Sequence, residues 1–163
     1  MSEGPTLSHV DPHGGVHMID VSEKADSVRT AVAAGRVSVG REAFHLIREN
    51  QIRKGDVLTI AQIAGIMGAK QASRLIPLCH DVALKGIDID LSLNEDHLSV
   101  DIRSFAKSHG STGVEMEALT GVSIAALTVY DMCKSVSKEI SITDIHLLAK
   151  TGGQSGDYMK GDI

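Results

Sequence analysis

Aromatic side chains are scarce: they make up 2% of the 163 residues, and tryptophan is absent. A core without large rings must be packed from Leu, Ile, Val, Ala and Met, and a hydrophobic content of 42% supplies enough for one ordinary domain. Cysteine is scarce too. Cys79 and Cys133 are the only two, with no secretion signal beside them, which points to a reducing compartment rather than a disulfide framework. Excess positive charge is missing. A net charge of −5 argues against general nucleic-acid binding, which relies on neutralising phosphates, yet leaves room for a locally basic pocket. The first residues carry neither a basic nor an apolar leader, and every apolar run breaks before it spans a bilayer, so the expected location is cytoplasmic. There is no Gly-x-Gly-x-x-Gly, no Walker A loop and no structural-zinc spacing, so the expected metal set is none. His9, His13 and His17 are evenly spaced, but Gly and Pro break any helix that would align them.

What is present divides into an arm, a single domain and a tail. Residues 1–15 read as a flexible arm, 16–157 as one catalytic α+β domain, and 158–163 as a flexible tail. Val16–Val21 fits a short strand. Residues 28–39 stay ambiguous, since Val32, Val37 and Val39 favour a strand and the alanines a helix. Arg41–Asn50 fits a short helix. Asp56–Leu75 fits a longer one ending before Pro77, apolar on most faces and so expected to be buried on two sides. Gly65 and Gly68 weaken that helix, and close packing against another backbone is the simplest reason to keep them. Ile87, Ile89, Leu91 and Leu93, then Leu98, Val100 and Ile102, alternate with polar residues as in an antiparallel hairpin with one wet face. Val114–Val136 is the longest helix, apolar nearly all round, which suggests that another subunit covers one face. Ile140–Leu148 returns to a strand pattern. From residue 28 the order is β-α-β-β-α-β, a ferredoxin-like plan with an extra N-terminal strand and a short helix.

Four segments carry chemistry. Asp131 and Lys134 lie at i and i+3, on one helix face with little other charge. Taken alone they fit an exposed ion pair at least as well as an acid–base pair with shifted pKa values. Cys79 and His80 fall in a loop: the imidazole can exchange protons near neutrality, while the thiol fits a small buried residue. Thr112-x-x-Glu115 fits a capping box, and Glu117, two residues on, belongs to a different helix face. Lys54 precedes the second helix, and Lys150 leads into Thr151-Gly-Gly-Gln-Ser-Gly156, where glycines permit close approach of main-chain amides to an anion.

In this order the segments resemble one family. Met18-Ile-Asp-Val-Ser22, Lys54-Gly-Asp56, Ile63-Ala-Gly-Ile66, Leu75-Ile-Pro-Leu-Cys-His80, Thr112-Gly-Val-Glu-Met-Glu-Ala-Leu-Thr120, Val129-Tyr-Asp-Met-Cys-Lys134 and Leu147-Leu-Ala-Lys150 look like the molybdenum cofactor biosynthesis protein C family, the cyclic pyranopterin monophosphate synthases. The resemblance spans about residues 7–157. It implies a homohexamer of three dimers with active sites at dimer interfaces. The implied activity is that of a lyase of molybdenum cofactor biosynthesis. It turns (8S)-3',8-cyclo-7,8-dihydroguanosine 5'-triphosphate, made from GTP by a radical enzyme, into cyclic pyranopterin monophosphate, releasing pyrophosphate. No redox cofactor is implied, and a divalent cation on the substrate phosphates stays open. The implied catalytic residues are Asp131, Lys134 and Lys54, and the implied substrate-binding residues are Leu78, Cys79, His80, Glu115, Met116, Glu117 and Lys150. Neither nucleic acid nor membrane is an expected partner. Gln62, Gln71 and Gln154 stand where the family usually has basic residues, and Asp81 where it usually has proline. A non-catalytic pterin or nucleotide binder, and a structural oligomer subunit, are the competing readings.

Overall fold

The computed structural model describes residues 15–153 and 156–161. Along the chain run β1 (Ser27–Ser38), α1 (Gly40–Arg48), α2 (Val57–Ala69), α3 (Ala72–Leu75), β2 (Leu84–Asn94), β3 (Ser99–Gly110), α4 (Glu115–Cys133), β4 (Ser141–Thr151) and β5 (Tyr158–Met159). The strands form one sheet in the order β2-β3-β1-β4-β5, and every neighbouring pair is antiparallel. This is the expected ferredoxin-like α+β plan with a short strand added at its C-terminal edge.

The ambiguity at residues 28–39 resolves as β1. Its inward positions are Ala31, Ala33, Gly35 and Val37, all buried. The small residues are there for the neighbour, not for helix propensity: a Cβ on Gly35 would lie 2.6 Å from Val122 Cγ1 of α4. The hairpin alternates as expected, with Ile89 buried and Asp88, Asp90 and Ser92 exposed. Helices α2 and α4 cover one sheet face, and Phe44, Ile89, Val100, Ile102, Val122 and Val129 pack between the layers.

Four expectations need correction. Val16–Val21 is not a strand: only Val16 makes an isolated bridge, and Asp20 Oδ1 accepts the Ser22 amide at 2.9 Å, turning the chain instead. Asp56–Leu75 is not one helix. Asp56 caps α2 by accepting the Thr59 amide, but at Lys70–Gln71 the Gln71 amide reaches back only to Gly68, and α3 starts afresh. Nor is α2 buried on two sides. Val57, Ala61, Gly65 and Gly68 face inward, whereas Ile60, Ile63 and Met67 are exposed, because one chain has no third layer to cover them. The tail expected from 158 begins as β5, where Tyr158 pairs with Lys150 and Met159 with Ala149. His9, His13, Gln154 and most of the N-terminal arm lie outside the described residues.

The reason expected for Gly65 and Gly68 holds. A Cβ on Gly65 would meet the Gly121 carbonyl oxygen at 2.9 Å, and one on Gly68 would meet Ile124 Cγ1 at 2.5 Å. Gly65→Ala therefore sets backbone strain between α2 and α4 against a gain in helix propensity. The expected result is a net loss of about 1–2 kcal/mol in chemical denaturation. A variant as stable as wild type would mean that the two helices separate freely.

Candidate active site

The C-terminal end of α4 gathers three charges. Asp131 lies in its last turn and Lys134 is its C-cap. Lys54 comes from the turn before α2, where Gly55 takes φ +107° and lets the chain reverse. Lys134 Nζ lies 2.7 Å from Asp131 Oδ1. Lys54 Nζ donates to Asp131 Oδ2 and to the Asp131 carbonyl oxygen, both at 2.7 Å. Both ammoniums sit where the helix dipole favours positive charge. The three side chains are about half exposed. Lys134, and then Lys54, lower the Asp131 carboxyl to about 2, and Asp131 in turn raises Lys134. The trio is thus one carboxylate shared by two ammoniums, rather than the two-residue pair that sequence spacing alone displays. Cys133 next to it is fully buried, and burial pushes its thiol up to about 11, so it is a packing residue.

The N-terminal end of α4 opens on a second site, a cavity of about 680 Å³ lined by Leu78, Cys79, His80, Glu115, Met116 and Lys150. The expected capping box is absent. The N-cap is Val114, with no side-chain bond, and Glu115 Oε1 pairs instead with Lys150 Nζ across the cavity at 3.0 Å. Ala31 on β1 faces Lys150 on β4, so Lys150 points to the helix side, where α4 begins. A lysine within reach competes better for the carboxylate than a backbone amide does. His80 Nε2 donates to the Ile19 carbonyl at 2.8 Å, so the segment before β1 fixes the ring. Cys79 is half-buried in the cavity wall rather than enclosed as expected, and its partial burial raises the thiol, which disfavours a reactive thiolate.

Glu117 stands behind this cavity. It is 3% exposed, and its Oε2 has no hydrogen-bond partner among the described residues. Burial first, then the charges of Glu115 and Asp81, raises its carboxyl above the usual range. Folding therefore disfavours the ionised form. The contribution of Glu117 to stability is greatest at acid pH, where folded and unfolded chains both hold its proton, and falls as pH rises above the ordinary carboxylate value. Glu117→Gln should remove that fall. Urea titrations of both proteins at pH 5 and pH 8 test it, and an equal pH response in the two would show that Glu117 ionises freely.

Among the cavity residues that escaped sequence reasoning are Lys24, Arg29 and Thr30. Arg29 becomes legible once its segment is known to form β1. It is the one charged residue in the inward phase of β1, two positions before Ala31, and it is 8% exposed. Its Nε donates to the Gly110 carbonyl and its Nη2 to the Ser111 carbonyl, each at 3.2 Å. With His80 and Lys150 these cations suit an anion, and so do the main-chain amides at the start of α4.

The ten expected site residues therefore fall into two groups rather than one. Asp131 lies sixteen positions after Glu115 on α4, which sets the groups about 24 Å apart along its axis. A separate groove of about 550 Å³ on the open sheet face holds none of them. Its central charges already cancel: Arg36 grips Asp101 through two hydrogen bonds of 2.7 and 2.9 Å and lowers that carboxyl to about 2.

Residues 18–153 match the model of the MoaC family. The chain is 64% identical over 158 residues to a cyclic pyranopterin monophosphate synthase of Salinibacter ruber, covering 97% of this chain and 93% of that protein. It is 54% identical over 154 residues to the synthase of Heliobacterium modesticaldum, covering 94% and 97%. Over 152 residues it is 51% identical to molybdenum cofactor biosynthesis protein 1 of Homo sapiens, covering 93% of this chain and 24% of that longer protein.

Proposed function

The chain belongs to the MoaC family, and on that premise we propose that it converts (8S)-3',8-cyclo-7,8-dihydroguanosine 5'-triphosphate to cyclic pyranopterin monophosphate and pyrophosphate. The observation that carries the reading to this chain is the Lys54–Asp131–Lys134 trio, intact and in contact. The rearrangement opens one ring, closes another and forms a cyclic phosphate, and each step moves protons. Two ammoniums held on one carboxylate supply protons. Asp131, too strong an acid to hold one itself, keeps Lys134 charged and aims both lysines. His80 and Lys150 hold phosphate oxygens, with Arg29 and Lys24 adding positive charge to the same cavity. Leu78, Cys79 and Met116 shape its wall toward the pterin-like head, and Glu117 backs that wall. The rearrangement leaves the redox level unchanged, so it needs no redox cofactor, and a divalent ion would serve only the phosphates.

A substrate this small cannot span about 24 Å, so each site needs the trio of one subunit and the cavity of another. The exposed apolar residues Ile60, Ile63, Met67 and Leu127 offer a contact surface on the helix layer. A two-fold axis across α4 reverses the partner helix and sets its C-terminal end beside the first subunit's N-terminal end. Three such dimers make the proposed homohexamer, working in the cytoplasm. No described helix is long and apolar enough to cross a membrane.

The direct test supplies the cyclic dihydroguanosine triphosphate and follows both products. Equal amounts of pyrophosphate and cyclic pterin phosphate are expected. Binding without product would mark a pterin-phosphate binder, and no binding a structural subunit.

A further inference from the structure

The turn after β4 is closed by a carboxylate that nothing in the proposed chemistry uses. Lys150 pairs with Tyr158 across the β4–β5 ladder, and Thr151 Oγ1 shares a 2.6 Å hydrogen bond with Thr30 Oγ1 of β1. Between those rungs the chain turns through Gly152, Gly153 and Gly156 at φ +85°, +94° and +73°. Asp157 Oδ1 accepts the Gly152 amide at 2.9 Å and the Gly153 carbonyl accepts the Gly156 amide at 3.3 Å, while the Lys160 amide reaches the Leu148 carbonyl at 2.8 Å. Gly152 and Gly153 are pressed onto the cavity wall. A Cβ on Gly152 would collide with the Val28 carbonyl, and one on Gly153 with the Arg29 guanidinium. Arg29 in turn holds Gly110 and Ser111, just ahead of α4.

A negative charge beside a cavity built for a polyphosphate is unfavourable on electrostatic grounds alone. Asp157 is explained by its hydrogen bond rather than by its charge. We propose that Asp157 is a positioning residue: by clasping Gly152 it seats the glycine turn against Arg29 and fixes Lys150 for the substrate's phosphates. The proposal rests on the function given above.

The test compares Asp157→Ala, Asp157→Asn, Lys150→Ala and the Asp157→Ala/Lys150→Ala double variant, with thermal midpoints as a check on folding. Asp157→Ala loses the acceptor, so KM should rise about fivefold to tenfold while kcat stays within about twofold. Asp157→Asn keeps an oxygen for the Gly152 amide and sheds the charge, so its KM should equal or undercut that of wild type. In the Lys150→Ala background the alanine at 157 should add little, because the group it positions is gone. Wild-type KM in Asp157→Ala, equal damage in Asp157→Asn, or a full multiplication of the two defects would each overturn the clasp. An unimpaired Lys150→Ala variant would instead overturn the phosphate site, which separates failure of the clasp from failure of the functional reading.

Discussion

Replacing Asp131 with Asn lowers turnover by about 10²–10⁴-fold while leaving the fold intact. Asn has the same size and still offers one oxygen to a lysine. It removes the negative charge that holds two ammoniums 2.7 Å from the same carboxylate. Without it the lysines repel each other, and the aim of both is lost. The carboxylate is about half exposed, so its replacement opens no cavity and strands no buried charge, and the unfolding midpoint should barely move. The pH response gives a second readout. Asp131 raises the Lys134 pKa. In the Asn variant the ammonium loses its counter-charge, so the alkaline limb of the residual activity should shift to lower pH. Single-turnover assays across pH, beside circular dichroism, measure both effects. Full turnover in Asp131→Asn would remove the trio from the chemistry.

Co-expressing two inactive variants should restore activity. Asp131→Asn spoils the trio and Lys150→Ala spoils the cavity, and each homo-oligomer should fall well below wild type. In a dimer carrying one of each, both defects fall in the same shared site and the other site is whole. Random pairing then returns about a quarter of wild-type activity. Purification of differently tagged subunits through both tags removes the single-variant hexamers, and the mixed hexamers should still return about a quarter, because a hexamer of three dimers passes both tags whichever dimers are mixed. No recovery in the doubly tagged oligomer would mean that each site draws on a single subunit.

The sequence discloses elements better than it discloses neighbours. The alternation of Ile87 to Leu93 and of Leu98 to Ile102 already contains the hairpin, because one wet face imposes period two. The alanines of β1 mislead because propensity is a weak prior: small residues there make room for Val122, a fact about α4. The capping motif at Thr112 misleads in the same way, since Lys150, thirty-five positions after Glu115, claims its carboxylate. The i, i+3 relation of Asp131 and Lys134 is legible on one helix, whereas Lys54 joins them only through the packing of α2 on α4. Arg29 is the instructive omission. Its strand phase was readable once β1 was known to be a strand, and the ambiguity over residues 28–39 concealed it.

Helix α4 carries a functional group at each end and rests on glycine contacts in between. It therefore acts as a ruler as well as a scaffold. One residue inserted anywhere along it would lengthen it by about 1.5 Å and rotate one end by roughly 100° against the other. Lys134 would swing away from Lys54, or Glu115 from Lys150, whichever end stayed fixed. Its length cannot drift by single residues, and insertions in descendants of this chain should collect in the loops that flank the helix.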